Sequence, residues 1–225
     1  MSGLAGLLAR IADPSRPFLT YYDEGVPERV ELSAITTANW VNKTANMLTE
    51  GFDAERGMSV RLDLPSHWES YVWLLASWTV GLVVTDGPAD IAVLGPDLAG
   101  EPGAELTFAL SLRPMGLRFL SPPEGSIDYN AEVLGFGDHF FSLDPPEDES
   151  PAMRWSGVET SHADLVASVE PRGSRLLLEP ADLPTDIDAL VGALSGGGSL
   201  VLAARCSAEQ LASIARDEQA TPSAP

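Results

Sequence analysis

At 225 residues, 44% of them hydrophobic and 20% charged, the chain has the composition of a globular protein with room for one large domain or two small ones. Thirteen Lys and Arg stand against 33 Asp and Glu, a net charge of −20 that argues against nucleic-acid phosphate and anionic lipid as partners. Cys206 is the only cysteine, which excludes an internal disulfide and a multi-cysteine metal site.

In chain order, Leu4 to Ile11 reads as a short apolar helix stopped by Asp13-Pro14; it lacks a basic leader and is too short for a signal or membrane segment, so a cytoplasmic protein is expected. Phe18 to Tyr22 and Arg29 to Leu32 read as a hairpin. Thr36 to Glu50 is helical, with Gly51 at its stop. Ser59 to Leu64 is a strand, and Ser66 with Glu69 three residues on resembles a capping box for the following helix. That helix carries Tyr71, Val72, Leu74, Leu75 and Trp78 nearly all round, which predicts burial between layers. Leu82 to Val84, Ile91 to Leu94 and Leu106 to Leu112 are short apolar runs of the kind found in parallel sheets. Asp128 to Leu134 suits a short helix. Leu143 to Ser150 is rich in proline and acid and reads as an exposed, mobile linker. Beyond it come a helix at Ser161 to Val169, a strand at Arg175 to Leu178, a helix at Asp186 to Leu194, a strand at Ser199 to Ala203 and a helix at Ala208 to Asp217. Glu218 to Pro225 is expected to fray. The alternation of strands and helices predicts an α/β fold of layered, mostly parallel sheets with flanking helices.

Candidate chemistry is sparse. Asp138-His139 has no nucleophile context beside it, and the three histidines, His67, His139 and His162, lack metal-ligand spacing. Gly196-Gly197-Gly198 follows a helix and precedes a strand, the reverse of the order that presents a helix N-terminus to phosphate. Asp144, Glu147, Asp148 and Glu149 read as a solvated acidic loop and not as a calcium site. No catalytic residue and no metal site is assigned.

Two stretches carry a resemblance. From Trp155 the chain reads WSGVETSHADLVASV, similar to PKGVxxTHxNL, and from Leu194 it reads LSGGGSLVLAARCSAEQLASIARDE, similar to GGxxVxxxRFDPExxLxxIxxxxVT. Further matches run in order from Arg29 to Gly51, from Gly57 to Ser66 and from Trp68 to Gly81. Together these segments resemble the acyl-adenylate-forming superfamily of acyl-CoA synthetases, luciferases and adenylation domains, and among them a short, degenerate TIGR03089-like type. The resemblance implies part of the large N-terminal domain of such enzymes. Where that superfamily writes its phosphate loop, roughly TSGTTGxPKG, this chain has Asp148, Glu149, Ser150, Pro151, Ala152, Met153, Arg154, Trp155, Ser156 and Gly157. Pro151 has no N–H to donate, and a carboxylate ~4 Å from a phosphate charge is repelled by about 4 kcal/mol at an effective dielectric of 20. Ser161 and His162 fall on the Thr-His position. Lys43, the only lysine, lies far from that loop in sequence, and the later nucleotide and C-terminal-domain motifs do not follow.

The organisation expected is an N-terminal α/β subdomain at 1–142, an acidic Pro-rich loop replacing the phosphate loop at 143–157, a second α/β segment at 158–217 and a disordered tail at 218–225. The function expected is a non-catalytic binding, regulatory or interaction protein with no cofactor, acting as a homodimer or with an unknown protein partner. The alternative is an acyl-activating enzyme using ATP, AMP or CoA, completed by a partner chain.

Overall fold

A computed structural model describes residues 3–97 and 103–223. Helix α1 (Gly3–Leu8) leads into the hairpin β1 (Pro17–Asp23) and β2 (Glu28–Ser33), where Asp23 turns the chain by accepting the N–H of Gly25 at 2.8 Å. Ser33 caps helix α2 (Ala34–Asn46) through the Thr36 N–H, and a π-helical turn at Met47–Gly51 ends it. Strand β3 (Ser59–Asp63), helix α3 (Trp68–Val80) and strand β4 (Val83–Thr85) form the first parallel crossover. Strands β5 (Ile91–Leu94), β6 (Leu106–Ala109) and β7 (Ile127–Asp128) follow, then a single helical turn, α4 (Tyr129–Glu132). The hairpin β8 (Pro151–Trp155) and β9 (Val158–Ser161) runs into helix α5 (His162–Ser168). Strand β10 (Arg175–Leu178), helix α6 (Leu183–Gly196), strand β11 (Ser199–Ala204), helix α7 (Ala208–Asp217) and strand β12 (Thr221–Pro222) complete the chain.

Two sheets result. One has the order β12-β10-β11-β1-β2, parallel except for β2; the other has β7-β6-β5-β3-β4-β8-β9, parallel except for β9. Helix α3 packs on strands of both and on α1 and α2. All thirteen of its residues are buried, as an apolar helix without a polar face must be. Trp73 lies 5.2 Å from both Phe108 and Tyr129, and the Trp78 indole donates to the Ala152 carbonyl of β8 at 3.1 Å. One core therefore unites the sheets.

Several expectations need correction. The start of α3 is capped by His67 and not by Ser66: the His67 Nδ1 accepts the Glu69 N–H, while the Ser66 hydroxyl is drawn away to Asp186 at 2.7 Å. Strand β6 stops at Ala109, since Leu112 adopts a φ of 48° and Pro114 follows. Val83-Val84, Ile91 to Leu94 and Leu200 to Leu202 are interior strands with neighbours on both sides, so they leave no open edge. The tail is ordered to Ser223. Thr221 and Pro222 pair with β10, and the Ser223 N–H reaches the Leu177 carbonyl at 2.9 Å. Residues 224 and 225 lie outside the described residues.

Glu218 anchors that tail. Its carboxylate accepts hydrogen bonds from Tyr22, Arg29 and Arg175 at 2.5, 2.8 and 2.6 Å. Burial pushes its pKa up, but those three donors outweigh burial and bring it down to about 2. Glu218→Ala leaves Arg175, only 15% exposed at its side chain, without its carboxylate. A loss of about 2 kcal/mol in urea unfolding is expected, together with faster amide exchange at 219–223. Unchanged exchange there would show that β12 holds without the ion pairs.

Candidate functional site

The stretch from 143 to 157 is loop only as far as Ser150. Pro151–Trp155 is strand β8, and Ala152 is fully buried. Met153 and Arg154 pair with Val84 and Thr85 of β4 on one side and with Thr160 and Glu159 of β9 on the other. Only Ser156 and Gly157 connect β8 to β9. Their φ values of 50° and 78° are the pattern of a type I′ turn, the two-residue loop that matches strand twist. The Ser156 N–H donates to Asp86 at 2.8 Å. Arg154 pairs with Glu159 on an exposed face.

Upstream, Asp148 and Ser150 hold two helix starts. Their carbonyls accept the Ala163 and His162 N–H groups at 2.8 and 3.0 Å, satisfying the first turn of α5, which Ser161 also caps. The Asp148 carboxylate accepts the Gly3 N–H of α1 at 2.8 Å, and the His162 Nδ1 accepts that of Leu4 at 3.4 Å. His162 is fully buried, and burial lowers its pKa. Trp155 pairs with Val158 in the β8–β9 ladder, and Glu149 is exposed. Asp138 and His139 contact each other at 2.8 Å on the surface, with His139 97% exposed and no nucleophile joined to them. Gly197 takes the left-handed cap of α6 at φ 71°, and a Cβ on Gly196 or Gly198 would lie 2.3 Å from the Arg172 backbone. The three glycines serve close packing. Lys43 donates to the Phe136 carbonyl at 2.6 Å. No group of three or more His, Cys, Asp or Glu side chains among the described residues is arranged to hold a metal ion. Nor is any helix among them long and apolar enough to cross a membrane.

One buried polar cluster was missed by sequence patterns. It lies where α3 begins, at the carboxyl end of β3, whose neighbours β4 and β5 lie on opposite sides. Such a point in a parallel sheet is where open α/β folds place ligands. Here the crevice is filled by side chains. Asn130 donates to Glu69 and to the Gly116 carbonyl, and its own oxygen accepts the Ser111 N–H at 3.0 Å. Glu69 is fully buried, with Oε2 unpartnered and 3.8 Å from His67 Nδ1. Burial pushes the Glu69 carboxyl up to about 8 and the His67 imidazole down to about 3, so both are neutral at mildly acidic pH. Since Nδ1 accepts the Glu69 N–H, the His67 proton sits on Nε2, which has no partner. On the other side, Asp186 accepts from Ser66 and from Tyr71, the latter at 3.0 Å, and burial raises it to about 6. The sequence signal was a Ser-x-x-Glu capping pattern, which conceals a glutamate turned inward.

This architecture is the α/β fold of the N-terminal domain of adenylate-forming enzymes. It superposes on an acyl-CoA synthetase from Brucella canis (TM-score 0.75, 17% identity, 98% of this chain and 46% of that one). It also superposes on a long-chain-fatty-acid-CoA ligase from Archaeoglobus fulgidus (0.73, 12%, 97% and 50%) and on a Mycobacterium tuberculosis fatty acyl CoA synthetase (0.70, 14%, 97% and 48%). The chain spans about half the length of these structures. In sequence it is 34% identical over 206 residues to a TIGR03089 family protein of Mycobacterium tuberculosis, with 84% of each chain covered. It belongs to the TIGR03089 family. No family model matches it.

The buried pair sets a pH dependence. Below pH 6.5 the unfolded His67 gains a proton that the folded form refuses, so stability falls as pH falls toward 3. Above pH 4.5 the unfolded Glu69 loses a proton that the folded form keeps, so stability falls as pH rises toward 8. Between 4.5 and 6.5 the two slopes cancel. The pair's contribution is flat there and declines outside, and Glu69→Gln should remove the decline between pH 6.5 and 8. Urea unfolding as a function of pH checks this; an unaltered alkaline limb in the variant would place the titration elsewhere.

Proposed function

We propose that the chain is a non-catalytic member of the adenylate-forming fold that acts in the cytoplasm as a binding or interaction protein, with no phosphate loop. The pairing of β8 on both edges carries this reading. A phosphate cradle needs consecutive backbone N–H groups free to converge on an anion. In the stretch that aligns with such a loop, ladder bonds engage Met153 and Arg154 on both sides, Pro151 has no N–H, and the Ser156 N–H is spent on Asp86. The carboxylates here, Asp86 on the Ser156 N–H and Asp148 on the Gly3 N–H, have the wrong sign for phosphate. ATP does not fit these residues. Glu69, neutral and sealed behind Asn130 and Gly116, offers no exposed acid or base at neutral pH.

The ligases named above favour the alternative, an acyl-activating enzyme using ATP and CoA and completed by a partner chain. Kinship of fold is its only support, and folds carry many functions. Pyrophosphate exchange with fatty, aromatic and amino acids should stay at background. ATP, AMP, CoA and acyl-CoAs should leave the melting temperature unmoved, whereas a ligand at 100 times its Kd would add about 2.7 kcal/mol. Reproducible exchange with any acid, abolished by Arg154→Ala or Ser156→Ala, would sink the non-catalytic reading.

A further inference from the structure

One short segment, Ser111 to Leu117, closes over the buried acid at the start of α3. It approaches Glu69 directly: a Cβ on Gly116 would lie 3.2 Å from Glu69 Oε1 and 3.3 Å from the Trp68 ring, so glycine permits the contact. Three hydrogen bonds tie the segment down on two sides. The Ser111 N–H donates to Asn130 at 3.0 Å, and the Gly116 carbonyl accepts from Asn130 at 3.3 Å. The Met115 N–H donates to Glu28 of β2 at 2.7 Å. Apolar burial adds little, since the Met115 and Leu117 side chains are 80% and 52% exposed. Leu112 and Met115 take φ values of 48° and 61°, left-handed backbone that such residues rarely adopt, so the closed form is held and not relaxed.

Asn130 joins this segment to what lies beneath it, because the same carboxamide also donates to Glu69. Under the segment Glu69 Oε2, His67 Nε2 and Trp68 Nε1 are buried without a hydrogen-bond partner, and such atoms favour any arrangement that lets water reach them. Loss of the Glu69 proton sharpens that demand, since a buried carboxylate needs donors or a cation. The groups facing it supply neither. Glu28 of β2 and Asp128 at the start of α4 are acids that oppose its charge. The Tyr129 hydroxyl bonds to Thr44 of α2, and His67 is kept neutral by burial. Asp23 of β1, which faces His67, is paired with Arg205, and Arg113 of the segment donates to the Arg118 carbonyl. Water is the donor that remains, and Gly116 stands in its path.

We propose that Ser111 to Leu117 is a strap whose closure is coupled to the proton on Glu69, shut over the crevice while the carboxyl is neutral and released to admit water when it ionises. The strap lies over the carboxyl end of β3, so its release opens the crevice that side chains otherwise fill, whether or not the chain is catalytic. The pH window follows from both buried groups. Burial lifts Glu69 from 4.5 to about 8, so between those values opening releases a proton and gains as pH rises. Burial drops His67 from 6.5 to about 3, so between those values opening takes up a proton and gains as pH falls. The two cancel from 4.5 to 6.5. From 6.5 to 8 only the Glu69 proton counts, and opening should increase about 30-fold before it levels off.

Amide exchange of the full chain, corrected for the intrinsic pH dependence of exchange, reads this directly. Protection of the Ser111 and Met115 amides should fall about 30-fold between pH 6.5 and 8, while the amides of β3 and β5 stay better protected throughout. Glu69→Gln should hold strap protection flat over that range. Gly116→Ala, which leaves Glu69 in place, should lose strap protection already at pH 6.5 with β3 and β5 still protected, so the strap can be tested even if Glu69→Gln does not fold. Wild-type strap protection that does not change from pH 6.5 to 8 overturns the proposal. So does an equal fall in Glu69→Gln, a strap that exchanges only together with β3 and β5, or a Gly116→Ala variant as well protected as the wild type.

Discussion

Everything in the fold is arranged around the burial of one helix. Helix α3 shows no residue to solvent, and it touches both sheets and two other helices. An apolar cylinder of that kind has no stable place except between layers. The two sheets can therefore share a core only by closing on it. The cost appears at its polar positions, where every hydroxyl and carboxyl must find a partner inside the protein. Ser77 and Thr79 return to carbonyls one turn back, at 2.7 Å each. Ser66 and Tyr71 share Asp186. Glu69 is the position where the solution is incomplete, and it keeps its proton instead of a second partner.

That constraint explains which parts of the fold were legible in the sequence. The apolar surround of α3, the β1–β2 hairpin and the short parallel strands follow from hydrophobic patterning, which burial enforces directly. The β8–β9 hairpin was hidden because its first residue is proline and acid precedes it, so local chemistry reads as a linker. What makes Pro151–Trp155 a strand is a neighbour far away in sequence, Val84 and Thr85 of β4. Strand β12 was missed for the same reason: two residues of a polar tail become ordered because Glu218 is held by Arg29 and Arg175. Glu69 was misread through a local rule, since a Ser-x-x-Glu spacing does not disclose that the serine has a better partner in Asp186, 120 residues on. Non-local contacts are what a single sequence conceals.

The segment from Asp148 to Ser168 ties several elements of the fold together. Strand, turn, strand and helix follow one another from Pro151 to Ser168 with their backbone bonds satisfied. The carboxylate and imidazole flanking this segment, Asp148 and His162, bind the first N–H groups of α1. A carboxylate at a helix start is electrostatically at home there, since the exposed N–H groups carry partial positive charge. The residue that would repel a phosphate thus has a structural task of its own.

The chain carries a net charge of −20. Spread over a surface, it opposes self-association, so any attractive patch must be locally exceptional. The run from Leu106 to Pro123 has two arginines and no acid, but residues 32–49 and 189–208 are equally free of acid, and the cleft beside the run is lined by Asp128 and Glu132 as well. Of the four sheet edges, β7 and β12 are two residues long and leave little backbone for another chain to pair with, whereas β2 and β9 are six and four residues long.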